Sequence, residues 1–457
     1  MKLSEIAGGR FGFCGEAAAE LLRAGFFVAA LSFSEVYFFV AGLSLFATLV
    51  RHIVKKQISM KLSTLIIIAG AMLVAPLASA QEPRPFDNVI ELQGRMQQAV
   101  DASDYPAALA ACEEMMAELA SLPDSLVGDN DQMWANMYYD LACFQSRCGQ
   151  ANPALLSLYS AASKGWNDYD HLLEDHDLDN IRALPRFAPI AQKIRELDFG
   201  YIMRDCLPYT RELSADMPRR VFASSSDPNL QQLRRRLNLD SVAGTGDELT
   251  RIKRITTFVH EVVHHNGLNG IPCDRNALTM LDSCANGRNT LNCRGMAILL
   301  NECLLSMDIP SMYVTCLPKI LLGDCHVINA VWSSQLGRWI WIDPSFNAWV
   351  TDENGQMLGI REVRERIRTG QPLHLNEEAS HYDDGPTEQS WYLDYYMTKN
   401  LYAIEVNAEN TFGAEAFTVR QGVPPTFILL LPPGFTPTYA HKDRVTTNDE
   451  WFWQAPE

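Results

Sequence analysis

The chain has 457 residues, of which 47% are hydrophobic and 20% are charged, and its formal net charge is −17. This composition supplies enough apolar side chains for ordinary cores, so a mainly disordered chain is excluded, and the length predicts two folded domains. The strong negative charge repels phosphate backbones, so we expect no nucleic-acid partner.

Residues 60–80 have the pattern of a secretory signal peptide. Met60-Lys61 gives a short basic start, residues 65–76 are almost all apolar, and Ala78-Ser79-Ala80 offers the small side chains that a signal peptidase accepts. We therefore predict cleavage before Gln81 and a periplasmic or secreted mature protein.

A second apolar stretch lies further upstream. Residues 24–50 are long enough to span a bilayer and are followed by basic residues. We expect Met60 to be the true start, with residues 1–59 as an upstream extension. The alternative is a membrane segment, and the protein is membrane-anchored if residues 24–50 are retained.

The cysteines show no spacing that indicates a disulfide framework. Of the eleven in the sequence, Cys14 alone precedes the predicted cleavage site. A domain of this size does not need disulfides for stability, so we expect most of the others to be buried thiols, as in the helical segments around Cys112 and Cys143.

Residues 88–199 are predicted to be helical. Apolar residues recur at intervals of three and four through residues 90–116. The segment 137–143, followed by Gly149 and Ala161-Ala162, resembles a tetratricopeptide repeat, in which small residues let antiparallel helices approach closely. The resemblance implies a docking surface for a protein partner; a helical platform that only packs on the following domain is an equal alternative.

Residues 200–245 contain proline, serine and glycine clusters and predict a connector. Thr245 and Glu248 form a capping-box pattern that predicts a helix from there to about His265. Helical and strand-like segments alternate beyond it, so we predict that residues 246–457 form an α+β domain with a C-terminal extension.

A further helix is predicted to begin near Cys293 and to end before Pro310. Cys293 would then lie in the first turn, where unpaired backbone N–H groups and the positive end of the helix dipole stabilise a thiolate. The same N–H groups can donate to an oxyanion. This position makes Cys293 a candidate nucleophile, although a buried structural cysteine is the commoner case.

His326 begins one strand-like run, and Asp343 ends a second. A turn centred near Ser334-Gln335, or one residue later with a four-residue loop, would place His326 and Asp343 on the same face of the sheet as direct or diagonal neighbours. The carboxylate could then orient the imidazole for proton transfer with a thiol. A one-residue slip would separate the two side chains.

Four segments around these residues resemble the transglutaminase-like superfamily of papain-like cysteine enzymes, in which Cys, His and Asp follow in this order on a helix and two strands. They are Asn292-Cys293-Arg294-Gly295-Met296-Ala297, Ile309-Pro310, residues 325–331 and Trp341-Ile342-Asp343-Pro344-Ser345. The resemblance covers about residues 245–370. It implies that Cys293 is the nucleophile, His326 the general base and acid, and Asp343 the orienting group. Departures from the family pattern on either side of His326 leave the substrate preference open.

The resemblance implies thiol acyl chemistry, in which a thioester forms on Cys293, and the signal-peptide pattern implies that the enzyme is exported. We expect a peptidase or amidase that hydrolyses peptide or isopeptide bonds of a peptide or protein substrate, with no cofactor, metal or calcium. A cross-linking transglutaminase and a non-catalytic peptide- or glycan-binding module with a relic triad are alternatives.

The segment His260-Glu261-Val262-Val263-His264 matches a different pattern, that of zinc peptidases. Two histidines four residues apart on a helix can bind zinc, and the glutamate can act as a base. Gly270 stands where a metzincin has its third histidine ligand. A zinc metallopeptidase is therefore the less favoured alternative.

A dense aromatic cluster follows near the C-terminus. Its members are Trp391, Tyr392, Tyr395, Tyr396 and Tyr402. The cluster could line a substrate cleft, but its helical spacing favours core packing.

Overall fold

The computed structural model describes residues 85–456 except 129, 213–216, 272, 286–289, 321–323, 383–384 and 438–443. The predicted signal peptide and the upstream residues 1–59, which include the apolar stretch 24–50, lie outside the described residues. Within the described part, no helix is both long enough and apolar enough to cross a membrane.

The first part of the described chain, from Asp87 to Arg204, is helical. Its helices are α1 (Asp87–Asp101), α2 (Tyr105–Ser121), α3 (Asp124–Val127), α4 (Asp131–Arg147), α5 (Ala151–Ser163), α6 (Tyr169–Glu174), α7 (Asp179–Arg182), α8 (Phe187–Leu197) and α9 (Phe199–Arg204). Helix α4 packs closely against α5 because the small side chains of Ala142, Ala154 and Ala161 are fully buried between them. The predicted helical region is confirmed, and its relation to tetratricopeptide repeats stays a prediction.

The second half mixes helices and strands. These are β1 (Val221–Phe222), α10 (Pro228–Arg236), α11 (Leu239–Ala243), α12 (Glu248–Val262), β2 (His264–His265), α13 (Ala277–Ser283), β3 (Thr290–Leu291), α14 (Cys293–Ser306), β4 (Ser311–Leu317), β5 (His326–Ser333), β6 (Arg338–Ile342), β7 (Val350–Thr351), α15 (Ile360–Thr369), β8 (His374–Leu375), α16 (Gln389–Trp391), a π-helix (Tyr392–Met397), α17 (Thr398–Asn400), β9 (Ala403–Asn407), β10 (Glu409–Asn410), α18 (Phe417–Arg420), β11 (Phe427–Leu430), β12 (Arg444–Thr446) and α19 (Asp449–Phe452).

A six-stranded sheet organises this half. Its strand order is β12-β11-β9-β4-β5-β6, and every neighbouring pair is antiparallel except β11 with β12. On one face of the sheet, side chains of β5 and β6 such as Val327 and Ile342 join the core formed with α12 and α14. Those on the other face, such as Ile328 and Trp341, join the core formed with α15 and the π-helix. The architecture is α+β, as predicted.

The two halves share the second of these cores. Met203 of α9 and Cys206 just after it are buried in the same cluster as Trp341 and Tyr392. Within the predicted connector, α10 and α11 bury Leu233 and Leu239 against the core around α14. The segment between the halves therefore contributes to the packing of the sheet.

Helix α12 differs from the prediction at both ends. Its N-cap is Asp247, whose side chain accepts from the backbone N–H of Thr250, so the predicted capping box of Thr245 and Glu248 is wrong. The Glu248 carboxylate instead accepts four hydrogen bonds from the turn between β5 and β6. The helix ends at Val262 and not near His265, because His264 and His265 pair with β3.

Candidate active site

Cys293 is the first residue of α14. The side chain of the preceding Asn292 caps the helix by accepting from the backbone N–H of Gly295 at 3.0 Å. Residues from Gly295 to Ser306 are buried, whereas Cys293 is partly exposed. The apolar body of the helix thus anchors it in the core, and its first turn leaves Cys293 only partly exposed, at the helix position that the sequence predicts.

Hydrogen bonds of two polar side chains, Asn329 and Arg294, fix the start of α14 relative to the sheet. The buried amide of Asn329 on β5 donates to the backbone carbonyl of Ala297 at 2.9 Å. Arg294 donates to Glu415 Oε1 at 2.7 Å and to Thr315 Oγ1 on β4 at 2.9 Å. Because these bonds tie α14 to β4 and β5, they restrict movement of Cys293 relative to β5.

His326 and Asp343 face the same side of the sheet. Ser333 pairs with Arg338, so β5 and β6 are joined by a four-residue loop, one of the two registers predicted from the sequence. In this register Asp343 is a diagonal neighbour of His326, and His326 Nε2 lies 2.7 Å from Asp343 Oδ2. Both side chains are almost fully buried, with 1% and 0% of their surface exposed.

The Asp343 carboxylate has two further donors. The phenol of Tyr392 donates to Oδ2 at 2.6 Å, and the backbone N–H of Ser345 donates to Oδ1 at 2.8 Å. Burial raises the pKa of the carboxyl group, but the charge of His326 and these hydrogen bonds outweigh it and hold the pKa below its ordinary value. Asp343 is therefore a fixed anion beneath the imidazole.

The thiol of Cys293 is hydrogen-bonded to His326. Because Nε2 of that ring is bonded to Asp343, Nδ1 is the nitrogen left for the sulfur. Burial disfavours the thiolate, but hydrogen bonds from His265 and His326 outweigh it and lower the pKa of Cys293 from 9.0 to about 6. Burial also disfavours the imidazolium, yet the charge of Asp343 raises the pKa of His326 to about 10. At neutral pH the pair is a thiolate and an imidazolium.

A second histidine, His265, also contacts the sulfur. It pairs with Leu291 in the short parallel ladder of β2 and β3. Leu291 precedes Cys293 by two residues, so this pairing brings His265 close to Cys293. Nδ1 of His265 lies 2.9 Å from Nε2 of His381. The ring of Phe346 contacts both His326 and His381, with ring centroids 5.6 Å and 5.0 Å away.

Neither His265 nor His381 was predicted as a site residue. The helical pattern of α12 continues through residue 265, which hides the strand, and His381 lies in an irregular segment far along the chain. The pair of adjacent histidines at the end of this pattern, His264 and His265, is the one sequence signal that could have indicated the first of them.

The aromatic cluster is divided between core and surface. Tyr392 and Tyr402 are buried, as the preferred interpretation requires. Trp391 is 47% exposed and stacks on Tyr396 with ring centroids 5.2 Å apart, and Tyr396 lies 5.3 Å from the ring of His326. This stacked pair forms an aromatic wall on the His326 side of the site.

The zinc-peptidase pattern is not arranged as a zinc site. Because α12 ends at Val262, His264 lies on β2 and is not one helical turn from His260. His260 Nδ1 lies 2.9 Å from the Pro344 carbonyl, and its ring stacks on Tyr382 at 4.5 Å. The described residues contain no group of three or more His, Cys, Asp or Glu side chains able to hold a metal ion.

The other cysteines near the site lack these features. Burial raises the pKa of Cys303, of Cys316 and of Cys284 above the ordinary value. Burial also raises the pKa of Cys325, next to His326, to about 11. No disulfide joins any cysteine of the described residues. Among these thiols, Cys293 is the one whose pKa is lowered.

Comparison with known protein families found no match, and comparison with curated proteins found none. Among solved structures, the chain is similar to a protein of Cytophaga hutchinsonii that is provisionally assigned as a cysteine protease, with 18% sequence identity and a TM-score of 0.21. The match covers 38% of this chain and spans 60% of that protein's length. A likeness of this size is too weak to support a conclusion about this site.

Proposed function

We propose that the protein is a cysteine-dependent acyl-transfer enzyme that hydrolyses peptide or isopeptide bonds, with Cys293, His326 and Asp343 as its catalytic triad. One observation carries the proposal. A partly exposed cysteine at a helix start is hydrogen-bonded to a histidine whose other nitrogen lies 2.7 Å from a buried carboxylate. The sequence resemblance to transglutaminase-like enzymes supports the same assignment.

In the acylation step, the Cys293 sulfur attacks the carbonyl carbon of the substrate and the carbonyl electrons move to oxygen. When the carbonyl re-forms, the C–N bond breaks and the amine leaves with a proton from His326. The product is a thioester on Cys293. Because Asp343 holds the imidazolium by a buried hydrogen bond, the proton donor stays aimed at the sulfur and the leaving group.

In the second step, the neutral His326 removes a proton from water and the hydroxide attacks the thioester carbon. Collapse of the second tetrahedral intermediate expels the Cys293 thiolate and releases the acid. Water is the default acceptor for the thioester, so hydrolysis is preferred over cross-linking to an amine. The partly exposed aromatic wall of Trp391 and Tyr396 supports a peptide or protein substrate, because such rings bind side chains by stacking and apolar contact.

Labelling with a thiol-reactive peptide probe tests the proposal. We expect selective labelling of Cys293 near neutral pH, complete loss of labelling in Cys293→Ala, and at least a tenfold decrease in His326→Ala. Cys325→Ala is the matched control and should label like the wild type. Equal labelling after His326→Ala would instead indicate a relic triad in a binding module.

A screen of peptide cleavage and amine incorporation identifies the acyl acceptor. Hydrolysis of a peptide or isopeptide library without amine incorporation supports the preferred reaction, and incorporation of a primary amine supports cross-linking.

We further propose that the enzyme acts outside the cytoplasm, in the periplasm or as a secreted protein. The support is the signal-peptide pattern of residues 60–80. Mass spectrometry of the mature N-terminus tests it, since a chain that begins before Gln81 would contradict the processing.

A further inference from the structure

His265, which is not part of the triad, donates a hydrogen bond that lowers the pKa of Cys293, and the fold holds it beside that residue. Its strand pairs with β3 through His265 and Leu291, and the adjacent Asn266 N–H donates to the Leu291 carbonyl at 2.8 Å. Since α14 begins two residues after Leu291, this ladder fixes the imidazole beside the first turn of the helix that carries Cys293.

The contact with His381 restricts the tautomer of His265. Their ring nitrogens, Nδ1 of His265 and Nε2 of His381, lie 2.9 Å apart, so one of them must donate. A thiolate accepts hydrogen bonds and cannot donate one, so the His265 nitrogen that faces Cys293 must carry a hydrogen. In a neutral ring this nitrogen is Nε2, which makes Nδ1 the acceptor and His381 the donor.

The segment that carries His381 is itself tied to the site. The phenol of the next residue, Tyr382, lies 2.6 Å from the Val263 carbonyl and 2.7 Å from the His260 carbonyl at the end of α12. On the other side, the Ser380 N–H donates to the carbonyl of Phe346 at 2.9 Å. These bonds connect the segment to both α12 and the loop after Asp343, so His381 has a fixed position relative to His265.

We propose that His265 is a catalytic residue that completes the oxyanion hole: its Nε2–H, together with the backbone N–H of Cys293, donates to the oxygen of the tetrahedral intermediates. We propose in addition that His381 is a positioning residue that keeps His265 in this tautomer. Both proposals rest on the acyl-transfer function proposed above.

The chemistry explains why a donor at this place is needed. When sulfur attacks the carbonyl carbon, the negative charge moves from sulfur to the carbonyl oxygen, which is bonded to the same carbon. A group that donates to the thiolate is therefore within reach of the oxyanion that replaces it. His326 gives its proton to the leaving amine, whereas His265 keeps its own proton throughout, so the two histidines have separate tasks.

Two reactions of the same thiol separate these tasks. Alkylation of Cys293 by iodoacetamide is a displacement without an oxyanion, and acylation by p-nitrophenyl acetate passes through one. Both rates are measured on the full mature chain across pH, and the limiting rates on the alkaline plateau, where the thiol is fully ionised, are compared. This comparison removes any effect of His265 on the ionisation of Cys293.

For His265→Leu, we expect the acylation plateau to fall by about 10²–10³, the loss typical of one oxyanion donor, with the alkylation plateau within about threefold of the wild type. His265→Gln supplies an amide N–H donor, so its acylation plateau should be at least tenfold higher than that of His265→Leu. His381→Leu should lower acylation and not alkylation, and His381→Gln should restore it. In wild-type protein, the ¹⁵N shifts of the His265 ring should show the Nε2–H tautomer, and His381→Leu should change them.

Equal decreases of both plateaus in His265→Leu would overturn the proposal, because they would show that the residue acts only on the thiolate. Unchanged acylation would overturn it as well. The outcome for the triad is read separately: wild-type protein that acylates rapidly in a His326-dependent manner supports the acyl-transfer function whatever His265→Leu does. Wild-type protein that does not acylate contradicts both.

Discussion

Tyr392 donates a hydrogen bond of 2.6 Å to Asp343, at the same carboxylate oxygen that lies 2.7 Å from His326. Both Tyr392 and Asp343 are fully buried, so water does not compete for this oxygen. The carboxylate is thus held by a side chain of the π-helix as well as by the strand that carries it. A buried charge of this kind is tolerated because each of its oxygens has a donor.

Removal of this phenol should weaken both the fold and the triad. In Tyr392→Phe, Asp343 Oδ2 keeps only its hydrogen bond with His326. We therefore expect the free energy of unfolding to fall by about 1–2 kcal/mol and the acylation rate to fall by about tenfold. Denaturant unfolding and acylation kinetics measure the two effects. Tyr395→Phe is the control, since Tyr395 is 40% exposed in the same helix and should change neither. A loss of stability with full activity would assign Tyr392 a purely structural role.

The lowered thiol pKa and the raised imidazole pKa define a pH window. Cys293 is ionised above about pH 6, and His326 remains protonated up to about pH 10. We therefore expect alkylation to rise through about pH 6, and amide hydrolysis to fall as the pH passes about 10, because the leaving amine then lacks its proton donor. A single rise near pH 9 would contradict the ion pair.

Asp343→Asn should remove the charge that keeps His326 protonated. The amide has the same shape and can still accept from Tyr392, so the fold should survive. We expect the pKa of His326 to fall, the midpoint of Cys293 alkylation to move up from about 6 towards 9.0, and acylation to fall by about 10²–10⁴. Asp394→Asn, at an exposed carboxylate on the same helix as Tyr392, is the control and should leave all three unchanged.

The zinc-peptidase alternative predicts a different outcome for His264. This side chain is exposed on β2, so His264→Ala should keep activity within about twofold if the triad is catalytic. Activity should also resist a chelator such as 1,10-phenanthroline. One tightly bound zinc per chain in metal analysis, together with loss of activity in His264→Ala, would favour the metallopeptidase.

Glu248 should stabilise the hairpin that sets the register of His326 and Asp343. Its carboxylate accepts from the backbone N–H groups of Ser334 and Gln335 and from two serine hydroxyls. Glu248→Ala leaves these donors without their partner, so we expect a loss of about 1–3 kcal/mol in the free energy of unfolding. Chemical denaturation measures it, with Glu261→Ala, an exposed glutamate of the same helix, as the control. Equal stability of both variants would refute this role.

The parts of the site that were predictable depend on local patterns. The start of α14 at Cys293 follows from its apolar face and the proline after it, and the alignment of His326 with Asp343 follows from alternation along two consecutive strands. The end of α12 is not a local property, since it depends on pairing of residues 264–265 with β3, a strand that comes after another helix. His265 was therefore assigned to a helix.

The same limit applies to the groups that support the site. Tyr392 reaches Asp343 from 49 residues away, and His381 reaches His265 from 116 residues away. Such contacts depend on how segments far apart in the sequence pack together, which one sequence does not specify. The sequence therefore predicts the candidate triad but not the side chains that hold it in place.

The burial of Met203 beside Trp341 and Tyr392 bears on how the chain can be divided. A fragment that starts at residue 246 would lose this methionine and leave an apolar hollow under the tyrosine that holds the acid of the triad. Such a fragment should be less active or less soluble even though it keeps every reacting side chain. The helical segment therefore supports the core beneath Asp343, and separating it from the α+β part would weaken the packing around Tyr392.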